Sequence, residues 1–129
     1  MTPKFRAYDG GSLNRMYQPD EVMAGNGDIW IIDEDSAAGE WIVNNDLNLM
    51  QSTGLKDKNG KEIFEGDIVD YKGRKAIVNW HGSYASFIYR FVDELQERKS
   101  EWKPLYLAYY KFEVVGNVHE NKELLEVEE

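Results

Sequence analysis

The chain has 129 residues, 42% of them apolar and 13% aromatic, enough material for one folded domain around a single core and outside the range of disordered chains. With 24 acidic against 15 basic residues, its formal net charge is −9, which disfavours a general nucleic-acid binder, because such proteins need a clustered cationic surface. It contains no cysteine, which excludes disulfides, thiolate metal sites and cysteine nucleophiles.

The apolar runs are only a few residues long, far short of a membrane span. The opening "MTPKFRAYDGG" lacks the basic, apolar and small-residue order of a signal peptide. A cytoplasmic protein with no membrane association is the expectation. An acidic surface of this kind suits basic protein partners or simply confers solubility.

In chain order, "KFRAYD" alternates Phe5 and Ala7 with Arg6 and Tyr8, the period of a half-buried strand. Gly10-Gly11 reads as a turn before a second short strand, and Pro19-Asp20 as a break. "NGDIWIIDED" follows, with Asn26-Gly27 as a turn and Ile29, Trp30, Ile31 and Ile32 as strand formers. The loop "DEDSAAGE" leads into Trp41-Ile42-Val43. Leu47 to Thr53 is the next strand, ending at Gly54.

"GLKDKNGKEIFEGDIV" then carries the densest turn chemistry. Asn59-Gly60 suits the type I′ hairpin turn, which requires positive φ at both central residues. Gly66-Asp67 supplies a second reversal, in which glycine makes the bend, the aspartate side chain caps it, and Ile68 and Val69 enter the core. Lys72-Gly73 turns Ile68-Val69 back onto Ala76-Ile77-Val78. "SYASFIYRFV" is a further strand. "VDELQERKSEW" predicts a short exposed helix around Glu94 to Arg98, with a charged hairpin loop as the competing reading. After Pro104, "LYLAYYKFEVVGNVHEN" reads as one long strand or two with a kink, and "NKELLEVEE" as an acidic tail.

Three islands in this order resemble the YopX proteins of bacteriophages and prophages. "KFRAYD" with Met16-Tyr17 is similar to the family's opening pattern, "LMQSTGLKDKNGKEIFEGDIV" to its central signature, and "FEVVGNVHENKELL" to its closing block. Tyr8, Ser52 and Lys122 depart from the commoner residues without disturbing the match. The resemblance implies a β-rich protein of phage or prophage origin in a bacterial cytoplasm. The family carries no established enzymatic activity, cofactor or catalytic residue, so no functional residue transfers onto this chain.

The residues themselves offer few chemical sites. "DKNG" at Asp57 to Gly60 lacks the later bidentate acid and flanking helices of a calcium loop, and a hairpin turn explains it. Asp33, Glu34, Asp35 and Glu40 read as solvated loop acids rather than cation ligands. His81 with Ser83 or Ser86 has no surrounding nucleophile motif, and His119 shows no catalytic setting. Gly54, Gly60, Gly66 and Gly73 lack the spacing of a nucleotide cradle. The best basic patch is Lys56, Lys58 and Lys61 with Arg74 and Lys75, read first as solvated turn lysines.

Aromatic residues are the exception. Trp30, Trp41, Trp80 and Trp102 with Tyr106, Tyr109 and Tyr110 exceed what a small core needs, so part of them can stack bases or anchor an interface. Read as a strand, "YLAYYKF" places Tyr106 and Tyr110 on one face and Tyr109 on the other, which suggests cover by a partner or a second subunit.

The expectation is therefore an all-β domain over residues 1–119, barrel or folded sandwich, with one short helix and an acidic tail over 120–129. Its turn signature is Gly54, Asn59, Gly60, Gly66 and Asp67, and its candidate interface is Tyr106, Tyr109 and Tyr110. No catalytic, cofactor or metal residue is assigned. The expected role is a non-catalytic binding or regulatory module acting on a host or phage protein. Homo-oligomerisation is compatible with it, nucleic acid is the second choice of partner, and an enzyme the third reading.

Overall fold

The computed structural model describes residues 4–11, 13–32, 38–96 and 102–126. The fold is all-β with a single short α-helix among the described residues. The chain divides into two compact units, Met1–Ser52 and Thr53–Glu129. Among the described residues no helix is long and apolar enough to cross a membrane.

In the first unit, β1 (Phe5–Asp9) pairs antiparallel with β2 (Arg15–Tyr17), placing Ala7 opposite Tyr17. On its other side β1 meets the start of β6 (Asn48–Lys56), with Phe5 opposite Gln51. A three-stranded meander joins β3 (Val22–Gly25), β4 (Asp28–Ile32) and β5 (Trp41–Val43). Its first turn is Asn26-Gly27, both at positive φ (53° and 82°), the geometry whose twist matches paired strands. Ala7, Tyr17, Val22, Ile31 and Leu47 form the buried cluster of this unit.

In the second unit, β6 continues beside β7 (Glu62–Phe64). A five-stranded antiparallel sheet follows, built from β8 (Asp67–Tyr71), β9 (Arg74–His81), β10 (Ser86–Phe91), β11 (Lys103–Pro104) and β12 (Glu113–Asn117). Their order is β11-β10-β9-β8-β12. Along β9, Ala76 and Val78 are buried while Ile77 is half-buried, the alternation a pleated strand imposes. These residues join Ile63, Val69, Tyr89, Phe91, Leu105 and Phe112 in an aromatic-rich core. Length alone predicts one core; each unit instead has its own buried cluster.

Four sequence expectations need correction. Gly54 does not end its strand: β6 runs through it to Lys56, with Gly54 at φ 77° and the Thr53 hydroxyl donating to the Ile63 carbonyl at 2.7 Å. Asn59 is not at positive φ, although Gly60 is (82°), so the turn is not type I′. The segment after Pro104 is not a strand but two 3-10 turns, Leu105–Leu107 and Tyr109–Lys111, before β12. Local bonds from Ala108 N–H to Leu105 C=O (2.9 Å) and Lys111 N–H to Ala108 C=O (3.0 Å) hold it. Turning inward this way buries Leu105 and Phe112 together, a tertiary gain that overrides the strand preference of tyrosine. Finally, the structure adds β3 at Val22–Gly25, where the sequence alone predicts no strand. The helix is α1 (Val92–Gln96); Arg98 lies outside the described residues.

Candidate functional site

Two buried aspartates organise the second unit. Asp57 begins the loop between β6 and β7. Its Oδ1 accepts the N–H groups of Asn59 (2.9 Å) and Lys61 (2.8 Å), and its Oδ2 accepts that of Val114 (2.9 Å). Lys58 N–H adds a bond to the Phe112 carbonyl at 2.9 Å, so the loop is stitched to the start of β12. Burial pushes the Asp57 carboxyl up, but the bonds from Val114, Lys61 and Asn59 and the nearby Lys61 charge together hold it below its ordinary value. Its oxygens are occupied by backbone donors, which leaves the "DKNG" loop as a backbone clasp rather than a cation site.

Asp67 is 1% exposed, and its Oδ2 accepts the Phe64 N–H at 2.8 Å, closing the turn in which Gly66 sits at φ 86°. Gly66 donates to the Val78 carbonyl and accepts from Val118 N–H, at 2.8 and 2.9 Å. Ile68 and Val69 follow into the core. Gly60 and Gly66 sit at positive φ in their turns, Asn59 lies in the Asp57 loop, Asp67 opens β8 and Gly54 lies within β6; none of the five lines a cavity described below.

The site with chemical character lies on the five-stranded sheet. A cleft of about 360 Å³ is floored by Tyr71, Tyr89, Phe91 and Phe112, with Ala108 beside them. Its remaining lining is cationic: Lys72, Arg74, Lys103 and Lys111. The rings meet edge to face, Tyr71 with Phe112 at 6.3 Å, Tyr89 with Phe112 at 4.9 Å and Tyr89 with Phe91 at 5.6 Å. Arg74 lies 3.7 Å from the Phe91 ring centre, Lys103 5.1 Å from the same ring, and Lys72 5.4 Å from that of Tyr71.

Arg74 is held from α1 by Asp93 (3.0 and 3.2 Å) and Glu94 (3.4 Å), and the Asp93 bond above all raises its already high pKa. Lys72, Lys103 and Lys111 form no ion pair among the described residues. Burial, with the Glu94 charge behind it, pushes the Tyr89 phenol up, so that ring stays neutral at physiological pH. Among the described residues the cleft lining therefore carries positive charge and no carboxylate, within a chain of net charge −9.

The basic patch expected from sequence is not assembled as such. Lys58 lies 4.0 Å from Glu113, while Arg74 and Lys75 line a second hollow of about 450 Å³ together with the acids Asp93, Glu123 and Glu126. Arg74 alone of that patch reaches the cleft. Lys72, Lys103 and Lys111 were missed because they come from three separate segments, and only the sheet order and the turns after Pro104 bring them together.

The candidate interface tyrosines divide differently from the strand reading. Tyr106 and Tyr110 are 60% and 56% exposed, with Leu107 at 60%, whereas Tyr109 is half-buried against the core. Lys111 spans the two features, its ammonium 5.6 Å from the Tyr110 ring centre. His81 meets Tyr84 edge to face and Trp102 at a tilt, 4.9 Å from each, and those two rings are 4.7 Å apart. The Ser86 hydroxyl bonds to the Phe87 carbonyl at 3.4 Å instead of to His81. Among the described residues no group of three or more His, Asp or Glu side chains is placed to hold a metal ion; Asp33, Glu34 and Asp35 lie outside them.

Comparison with protein families gives a match to the YopX protein model over residues 4–126. The chain belongs to the YopX family. The YopX match takes in every residue of the cleft and of the Asp57 and Gly66 turns. The chain is also similar to the crystal structure of protein EF1440 from Enterococcus faecalis, at 29% identity and a TM-score of 0.60, covering 98% of this chain and 99% of that one. No curated protein matches it.

Proposed function

We propose that this YopX-family chain is a non-catalytic binding or regulatory module of a phage or prophage, acting in the bacterial cytoplasm by contact with a host or phage protein. The observation that carries the reading is the exposed group Tyr106, Leu107 and Tyr110. Large apolar side chains more than half open to solvent, on turns anchored at both ends by buried Leu105 and Phe112, have the character of interface anchors.

The test is affinity capture from host lysate, run side by side with wild type and Tyr106→Ala/Leu107→Ala/Tyr110→Ala. A protein retained by wild type and lost from the variant is the expected result. Identical capture by both overturns the reading. Light scattering of the same pair decides whether the partner is a second copy of this chain: a dimer that becomes a monomer in the variant identifies it.

A further inference from the structure

Beyond the protein contact, we infer that the cleft on the five-stranded sheet is a binding site for a nucleoside phosphate, free or at an unpaired position of a single strand. Its volume of about 360 Å³ lies in the usual range for small-ligand sites. Two properties select the ligand. Beneath it the buried rings of Tyr89, Phe91 and Phe112 form an apolar bed, with the Arg74 guanidinium over Phe91 and half-buried Tyr71 beside them. The guanidinium plane and the Tyr71 ring are the surfaces on which a base can lie. Around that bed stand Lys72, Lys103 and Lys111, none of them ion-paired among the described residues.

An acidic peptide is the weaker fit. An extended peptide spaces its same-side carboxylates about 7 Å apart and brings no flat ring to lie on the guanidinium, whereas a nucleotide joins a base to charge concentrated within a few ångströms. Lys111 reaches the Tyr110 ring of the exposed group, but Tyr106 and Leu107 line no part of the cleft, so a variant at those two separates this site from the protein contact proposed above.

The experiment is calorimetric titration at low salt with adenosine diphosphate, pyrophosphate, a short deoxythymidine oligonucleotide and an oligoglutamate peptide. The proteins are wild type, Lys72→Asn/Lys103→Gln/Lys111→Gln, and Tyr106→Ala/Leu107→Ala. Asn suits the positive φ at residue 72, and an unchanged melting midpoint confirms that the lysine variant is folded. Wild type is expected to bind the nucleotide at least about tenfold more tightly than pyrophosphate, and the lysine variant to lose about tenfold or more. The tyrosine variant is expected to bind as wild type, whatever happens to its protein partner. Binding of the oligonucleotide in place of the mononucleotide supports the site and identifies a single strand as its source. Absence of binding by both, equal binding of pyrophosphate, preference for oligoglutamate, or full affinity in the lysine variant overturns the inference.

Discussion

At Asn26-Gly27 both residues take positive φ, whereas at Asn59-Gly60 only the glycine does, and the residue two places before each asparagine accounts for the contrast. That residue is Ala24 in the first hairpin, whose methyl group can accept no bond from the turn. In the second it is Asp57, whose carboxylate gathers the Asn59 and Lys61 N–H groups and leaves asparagine in an ordinary backbone region. The same carboxylate takes the Val114 N–H from a strand 57 positions away, so this loop fastens distant chain as well as reversing direction. One dipeptide thus serves two architectures, and the neighbouring side chain selects between them.

The contrast can be broken first at Asp57. Asp57→Ala strands three backbone donors, and a loss of about 3 kcal/mol or more in urea unfolding is expected. A loss below about 1 kcal/mol would show that the clasp is incidental. Gly66→Val, placing a β-branched side chain at φ 86° in a buried bend, is expected to cost about 2–3 kcal/mol and to lower the melting midpoint accordingly. An unchanged midpoint would remove the structural role assigned to that glycine.

The Asp57 carboxyl also sharpens the contrast through pH. Its folded-state pKa is depressed, so its stabilisation is complete above the unfolded carboxylate value of about 4 and is lost as pH falls through the folded value. The stability gap between wild type and Asp57→Asn should be constant near neutrality and shrink below pH about 4, whereas a gap that widens there contradicts the sign. The smallest effect compares the asparagines directly. Asn26→Ala should cost about 1 kcal/mol, because alanine tolerates positive φ poorly, and Asn59→Ala less than about 0.5 kcal/mol. Equal costs, measured by denaturant midpoint, would erase the distinction.

Most strands were legible because they alternate and are bounded by glycine or asparagine; β9, with Ala76 and Val78 inward, is a clear case. The segment 105–112 was not, because three tyrosines suggested a strand. Its buried and half-buried members are Leu105, Ala108, Tyr109 and Phe112, a spacing of three, four and seven that belongs to a helical turn. That signal was present in the sequence and was outweighed by composition. The cleft lysines carried no such signal, since positions 72, 103 and 111 share neither a local period nor a run, and their convergence is a product of tertiary topology.

The 105–112 segment has an evolutionary consequence. Because its two inward-facing ends fix its path, the outward letters at 106, 107 and 110 can be rewritten with little penalty to folding. Such a stretch is a ready place for a lineage to exchange one recognition target for another while the scaffold beneath stays the same.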